Sequence, residues 1–257
     1  MIANYHTHTY RCHHASGSDE EYIKKAITEG VKILGFSDHA PYLYRNGYVS
    51  YYKMLPSEAK DYYTSLSALR EKYRDKIEIY IGYEAEYYGE IWEETFEFWR
   101  RENTPDYLIL GQHVIGNEDG DTLIASGIRN THVEEYVSQT VAGINTGVFT
   151  YLAHPDLISY VGPDEVYEEE MTKLILAANK AGMPLEINML GLSEGRRYPR
   201  DFFWEIAKRY EPRVILGCDA HSPERVADKA EILAALRYAD KFHLNVIDTV
   251  EIVNPFS

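Results

Sequence analysis

The chain has 257 residues, of which 45% are hydrophobic and 26% charged, and its formal net charge is −15. This length allows one large domain with a substantial core, or two small ones, and the composition is that of an ordinary globular protein. The acidic excess argues against a nucleic-acid partner, because phosphate backbones need clustered Lys and Arg, but it leaves room for a small phosphorylated substrate.

Short β-rich runs alternate with longer amphipathic stretches along the chain. Strands are predicted at 2–8, 33–38, 77–84, 107–113, 148–154, 185–188 and 213–218. Helices are predicted at 19–30, 57–75, 91–102, 132–146, 164–181, 200–210 and 223–237. This α/β alternation predicts parallel strands joined by βαβ crossovers. We expect residues 1–257 to form a single-domain (β/α) barrel with seven units, and an open doubly wound sheet is the alternative.

No part of the sequence points to a membrane or to secretion. No apolar run reaches 18 residues, so we expect no membrane span, and the N-terminal residues do not have the pattern of a signal peptide. The two cysteines, Cys12 and Cys218, cannot form a disulfide framework, although one bridge stays open. A cytoplasmic location is therefore expected, and the sequence leaves the oligomeric state open.

Histidines collect at the carboxyl ends of the predicted strands. In a (β/α) barrel these ends converge on the face that carries the chemistry. Two further spacings support a shared site, because residues two apart on a strand lie on the same side: His6 with His8, and Asp219 with His221. Six of the ten histidines lie at strand ends, and one more lies in the loop after the first strand: His6, His8, His39, His113, His154 and His221, then His14.

Glu84 ends the third predicted strand among apolar neighbours, where a carboxylate is costly unless a cation or a salt bridge compensates it. Imidazoles and carboxylates suit Zn, Mn or Fe. With Glu84 and Asp219 there are nine candidate ligands, too many for one catalytic zinc with three protein ligands and an open position. They predict two to three divalent ions that share Glu84 as a bridge. Spacing alone does not decide between His13 and His14, and Cys12 is a further candidate.

The chain resembles the PHP (polymerase and histidinol phosphatase) family, and within it the histidinol-phosphate phosphatases. No single motif is specific, but their order and number together are. The motifs are His6-Thr7-His8-Thr9, Cys12-His13-His14-Ala15, Gly35-Phe36-Ser37-Asp38-His39-Ala40, Gly82-Tyr83-Glu84-Ala85-Glu86-Tyr87, Gly111-Gln112-His113, Ala153-His154-Pro155-Asp156 and Cys218-Asp219-Ala220-His221.

The resemblance implies a distorted (β/α)7 TIM-like barrel with a trinuclear metal site at its C-terminal face. It implies the following ligands: His6, His8, Glu84 and Asp219 for the first ion, Glu84, His113 and His154 for the second, and His14, His39 and His221 for the third. It also implies substrate-facing groups in a stretch that contains Asn188, Arg196 and Arg197, although an exposed basic loop is the alternative. Residues 157–160 lack the basic residue expected there in histidinol phosphatases, which leaves the exact substrate open.

The predicted function is hydrolysis of a small phosphate monoester, with L-histidinol phosphate of histidine biosynthesis as the leading choice. A hydroxide bridging the first two ions would attack phosphorus in line. Arg196 or Arg197 would hold the phosphate oxygens, because a guanidinium donates two parallel hydrogen bonds. Glu84 and Asp219 complete the predicted catalytic residues, and the proton donor to the leaving group stays open between Asp219 and a water molecule.

Other functions compete with this interpretation. Within the same family, a phosphatase or phosphodiesterase acting on a phosphotyrosine protein or a nucleotide is the first alternative. A metal-dependent amidohydrolase is the second, although no lysine ends a middle strand, and a metal-binding regulatory module without turnover is the third. The run Gly191-Leu192-Ser193-Glu194-Gly195 matches the nucleophile elbow of serine hydrolases, but residues 196–199 separate it from the next predicted helix.

Overall fold

The computed structural model describes residues 1–102, 104–119, 122–124 and 129–257. In these ranges eight parallel strands form one sheet, in the order β1-β2-β3-β4-β7-β8-β9-β10, and β5 pairs with β6 in a separate antiparallel hairpin. The strands are β1 (Ala3–Asn4), β2 (Ile33–His39), β3 (Glu78–Ala85), β4 (Tyr107–Leu110), β5 (Val114–Ile115), β6 (Thr122–Leu123), β7 (Tyr151–Leu152), β8 (Leu185–Asn188), β9 (Arg213–Gly217) and β10 (Asn245–Val246).

The predicted barrel is confirmed. The order of the strands in the sheet follows the chain without reversal, whereas a doubly wound sheet reverses at a switch point. The first strand meets the segment after β9 through a parallel bridge between Thr7 and Ala220, and the amide of His8 donates to Ala220 O at 3.0 Å. These contacts join the two sides of the sheet at its carboxyl ends.

The strand predictions differ from the structure mainly in length. The first strand was expected over 2–8 but covers only Ala3–Asn4, because the following residues turn toward Ala220. The hairpin of β5 and β6 was not predicted. Neither was β10, which pairs Asn245 with Arg213 at the start of β9 and is the eighth strand of the parallel sheet in the described ranges.

Helices cover the outside of the sheet. Each predicted helix recurs within a few residues, but the last one was predicted to begin at 223. It begins at Lys229, because Ala227 has a positive φ of 53° and the Asp228 carboxylate accepts from Ala230 N at 2.9 Å, which caps a new helix. The helices are α1 (Asp19–Thr28), α2 (Ala59–Tyr73), α3 (Trp92–Glu102), α4 (Val133–Asn145), α5 (Asp164–Lys180), α6 (Met189–Ser193), α7 (Asp201–Ala207) and α8 (Lys229–Lys241).

Apolar side chains of the strands and of the inner helix faces form one continuous cluster. Several buried tyrosines belong to it and satisfy their hydroxyls on backbone carbonyls: Tyr107 donates to Tyr5 O at 2.7 Å, and Tyr62 to Gly82 O at 2.8 Å. Cys12 and Cys218 are both buried and free, so the bridge that the sequence left open is not formed. In the described ranges, no helix is long and apolar enough to cross a membrane.

Candidate metal centre

The structure brings the nine predicted ligands together at the carboxyl ends of the strands. Donor atoms lie within 4.8 Å of one another in overlapping groups of three. His113 joins them, with Nε2 at 3.6 Å from Glu84 Oε1. The groups formed by the predicted ligands are His6 with His8 and Asp219, His8 with His39 and Glu84, His6 with Glu84 and His154, and His14 with His39 and His221.

Glu84 is the middle of the cluster, and its side chain is buried. Its two oxygens are approached by five histidine nitrogens, and the backbone of Gly111 lies so close that a Cβ there would collide with Glu84 Oε1. Glycine at 111 is therefore required by the carboxylate and not by a turn. The distances to Glu84 are 2.6 Å from His154 Nε2, 3.0 Å from His39 Nδ1, 3.5 Å from His6 Nε2, and 3.6 Å from both His8 Nε2 and His113 Nε2.

Many of these atoms are buried without a hydrogen-bond partner among the described residues. A buried polar atom that makes no hydrogen bond costs roughly 1–3 kcal/mol, and a bound cation removes that cost. The donor set, imidazole nitrogens and carboxylate oxygens, therefore fits divalent metal ions. His39 Nδ1 and His8 Nε2 each lie 3.0 Å from a carboxylate oxygen but do not have the geometry of a hydrogen bond. The buried cluster atoms without a hydrogen bond in the described ranges are His6 Nε2, His8 Nε2, His39 Nδ1, Glu84 Oε2, His154 Nδ1 and His221 Nε2.

A second set of carboxylates orients three of the imidazoles. Each accepts from Nδ1 and leaves Nε2 directed at the cluster, which is the arrangement that fixes metal-binding histidines in proteins. The Nδ1–oxygen distances are 2.8 Å for His6 to Glu186, 2.7 Å for His113 to Glu86, and 3.3 Å for His8 to Asp38.

The sequence interpretation did not assign these three carboxylates to the site. A signal for them was present, because Glu86 directly follows β3 and Glu186 lies between the apolar residues Leu185 and Ile187 of β8. A carboxylate among buried apolar neighbours is the feature that singled out Glu84. Asp38 directly precedes His39 in β2. What the sequence does not give is which histidine each one contacts.

The charges of the cluster are strongly coupled. Burial disfavours the charged form of His6, but the carboxylates of Glu186, Asp219 and Glu84 outweigh it and raise the pKa of His6 to about 10. Burial opposes ionisation of Glu84, yet the neighbouring histidines hold its pKa well below the ordinary value. Burial lowers the pKa of His221 to about 3. Because a metal ion needs Nε2 of His6 without a proton, we expect metal affinity to fall as the pH falls.

Two candidate ligands have unusual backbone conformations. His154 has a φ of 28° and Asp219 a φ of 50°. Such conformations cost roughly 1–3 kcal/mol each in residues other than glycine. A hydrogen bond from the neighbouring strand β8 stabilises each of these residues. The amide of His154 donates to Glu186 Oε2 at 3.0 Å, and Asn188 Nδ2 donates to Asp219 Oδ2 at 3.1 Å.

A cavity of about 650 Å³ opens over the cluster. Arg196 lines it and donates to Tyr198 Oη at 2.9 Å and to Glu194 Oε2 at 2.9 Å. Arg197 is exposed and lies outside the cavity lining. Arg225 lines the cavity as well and was not anticipated, because the sequence interpretation placed it in a helix beginning at 223.

Asn188 lies beneath the cluster and not on the cavity wall. Its Nδ2 donates to Glu186 Oε2 at 3.0 Å as well as to Asp219, and its Oδ1 accepts from Gly191 N at 2.9 Å. All of its polar atoms are thus occupied by the protein. Asn188 positions the cluster, and it is not placed to contact a substrate as the sequence suggested.

His14 and His13 have different surroundings. The Nδ1 of His14 contacts Cys12 O at 2.7 Å, and its ring belongs to the group with His39 and His221. His13 lies at the cavity rim, with Nε2 at 3.3 Å from Glu58 Oε2. Cys12 forms a group with His8 and His221, but burial raises the pKa of its thiol to about 11, which disfavours the thiolate that metals bind.

Ser193 does not have the geometry of a nucleophile elbow. It is the last residue of α6, whereas the elbow requires the serine at the start of a helix that directly follows a strand. Its hydroxyl donates to Leu190 O at 3.3 Å and accepts from Arg225 at 3.0 Å.

The chain is similar to known proteins over most of its length. A family model described as the PHP domain matches residues 4–189. A probable histidinol-phosphatase of Deinococcus radiodurans is 26% identical over 244 residues, which cover 88% of each chain. The histidinol-phosphatase of Bacillus subtilis is 24% identical over 248 residues, covering 84% of this chain and 92% of that protein. A histidinol phosphate phosphatase of Lactococcus lactis, solved with zinc, L-histidinol and phosphate, shares the fold with a TM-score of 0.73 at 19% identity, over 97% of both chains.

Proposed function

The chain belongs to the PHP domain family and is a metal-dependent phosphatase, and we propose that it hydrolyses L-histidinol phosphate to L-histidinol and phosphate. The observation that carries the chemistry is the convergence of nine nitrogen and oxygen ligands with unpartnered buried atoms. We further propose that residues 1–257 act as one PHP-type barrel domain, in the pathway of histidine biosynthesis.

The proposed centre holds two to three divalent ions, Zn, Mn or Fe, on the ligands that the motifs implied. The candidates are His6, His8, His14, His39, Glu84, His113, His154, Asp219 and His221. When bound, the ions would supply positive charge for the phosphoryl oxygens and a hydroxide near neutral pH. The protein's own part is to hold the ligands in place, which Glu186, Glu86 and Asp38 do through Nδ1 of three histidines.

Arg196 is the proposed phosphate-binding side chain. Its guanidinium is at the cavity and is oriented by Glu194 and Tyr198, so it is in place to donate to phosphate oxygens and to stabilise charge that builds in the transition state. Arg197 receives no such role, because it lies outside the cavity. Burial raises the pKa of the Tyr198 hydroxyl, which keeps it neutral and available as a hydrogen-bond donor.

The choice of substrate is supported by the relatives and by the cavity wall. Two relatives are named histidinol-phosphatase or probable histidinol-phosphatase, and the Lactococcus structure holds L-histidinol and phosphate. In this chain the rings of Tyr51 and Tyr52 line the cavity, whereas both oxygens of Glu194 are already paired with Arg196 and Arg225. Aromatic faces suit an alcohol that carries an imidazole and an ammonium group.

The test is phosphate release by metal-analysed protein from L-histidinol phosphate, beside p-nitrophenyl phosphate, a nucleoside monophosphate and a phosphotyrosine peptide. Of the four substrates, we expect only L-histidinol phosphate to be hydrolysed efficiently, with a kcat/KM of at least about 10⁴ M⁻¹s⁻¹. Equal and weak turnover of all four would reject this substrate and keep a phosphatase. No bound metal and no phosphate release would reject the metal centre.

A further inference from the structure

Lys53 is a buried lysine in the connection between β2 and α2, and only 2% of its side chain is exposed. Its Nζ is 2.8 Å from Glu86 Oε1 and 3.7 Å from Glu118 Oε2. It also lies over the ring of Tyr52, 4.5 Å from the centroid. An ammonium group out of water costs several kcal/mol unless it is closely paired, so its position is set by the carboxylate beside it.

The carboxylate of Glu86 connects Lys53 to the proposed metal centre. The same atom, Oε1, contacts Lys53 Nζ and the Nδ1 of His113 at 2.7 Å. The other oxygen, Oε2, is buried without a hydrogen-bond partner among the described residues. The backbone of Glu86 is held too, because its amide donates to Tyr42 Oη at 2.7 Å. Lys53 is thus the cation that keeps Glu86 in place beside His113.

We infer that Lys53 is a positioning residue for metal binding, acting through Glu86 on the ring orientation and tautomer of His113. With Glu86 held, Nδ1 of His113 carries the proton and Nε2 faces Glu84, as a metal ligand requires. Without the ammonium group of Lys53, the buried charge of Glu86 would be uncompensated. The carboxylate would also lose the contact that keeps it oriented toward His113. The inference rests on the proposed metal centre and deepens it.

Lys53 also marks a difference between the carboxylates that orient histidines. Among the described residues, neither Glu186 nor Asp38 forms an ion pair with a lysine or an arginine, whereas Glu86 does. Of the three carboxylates that orient histidines, Glu86 is therefore the one whose position depends on a lysine from a loop. Lys53 follows Tyr51 and Tyr52, which line the cavity, so the same loop contributes to the substrate cavity and to the metal centre.

The experiment compares Lys53→Met with Glu118→Gln, which alters the other carboxylate near the lysine without touching Glu86 or His113. Zinc affinity is measured by competition with a chromogenic chelator, zinc content by mass spectrometry, and thermal stability on metal-free protein. Lys53→Met is expected to weaken zinc binding tenfold or more, as loss of such supporting contacts does elsewhere. Glu118→Gln is expected to stay within about twofold. Adding Lys53→Met to Glu86→Gln is expected to cause no further loss of zinc affinity.

A purely structural lysine would give a different result. In that case Lys53→Met would lower the melting temperature of the metal-free protein and leave zinc affinity and content as in the parent, and the inference would be overturned. If Lys53→Met yields no soluble protein, Lys53→Gln is measured in its place with the same expectation. A parent protein that binds no zinc and releases no phosphate would overturn the proposed function itself, which separates the two failures.

Discussion

Replacing Glu84 by glutamine tests the centre of the metal cluster with the smallest change of shape. Five histidine nitrogens lie within 3.6 Å of the Glu84 oxygens, and the side chain is buried, so the negative charge of Glu84 is central to the cluster. A neutral amide cannot bridge two cations as a carboxylate does. We therefore expect loss of one or more ions and of the charge stabilisation that they supply.

The magnitude of that loss follows from the metal chemistry. Metal ions supply several kcal/mol of transition-state stabilisation, and losing about 5 kcal/mol makes kcat/KM fall roughly 10³–10⁴-fold. In the parent, zinc at 100 times its dissociation constant adds about 2.7 kcal/mol of stability. For a chain of this size that is a rise in melting temperature of about 5–11 °C, and Glu84→Gln should lose most of it.

The assays are kcat/KM on L-histidinol phosphate, zinc content, and melting curves with and without zinc. Glu170→Gln is a matched control, because Glu170 is a buried carboxylate of α5 that pairs with Lys173 away from the cluster. The control should keep turnover and the zinc-dependent shift. Near-normal turnover and zinc content in Glu84→Gln would refute the assignment of the cluster.

Three further changes test the cavity and the packing around the centre. Gly111→Ala should lower stability by about 1–3 kcal/mol and remove most zinc binding, because the added Cβ displaces the Glu84 carboxylate, as unfolding and zinc titrations would show. Arg196→Ala should lower kcat/KM at least tenfold, whereas Arg197→Ala should change it less than threefold. Burial raises the pKa of Asp156 from 3.8 to about 7, so the stability from its neutral form is complete below pH 4 and is lost as pH rises through 7. The free energy of unfolding of Asp156→Asn, measured in urea, should therefore rise relative to that of the parent between pH 4 and pH 8, by up to about 4 kcal/mol.

Each of these expectations has a result that contradicts it. Gly89→Ala is the control for Gly111, since a Cβ at 89 meets only ordinary contacts, and equal effects of the two would remove the steric argument. Equal losses in Arg196→Ala and Arg197→Ala would show that the phosphate is not held at the cavity wall. If the stability difference between Asp156→Asn and the parent is the same at pH 4 and pH 8, folding does not raise the pKa of Asp156 and the argument fails.

The architecture and the set of candidate ligands follow from the amino-acid sequence alone. The alternation of β-rich and amphipathic runs is a local pattern, and it predicts the parallel barrel and seven of the strands among the described residues. Placing His39, His113 and His154 near strand ends needs only the strand boundaries. Because parallel barrel strands end on one face, that placement is enough to predict that these residues meet.

Which side chains touch depends on the packed fold, because those contacts join residues far apart in sequence. His6 contacts Glu186 across 180 residues, and Thr7 meets Ala220 through the closure of the barrel. Loop paths have the same kind of effect: they place Arg196 at the cavity and its neighbour Arg197 outside it, and they carry Lys53 to Glu86. Local periodicity records which face of an element is buried, but the relative positions of strand ends and loops are fixed only when the whole barrel packs.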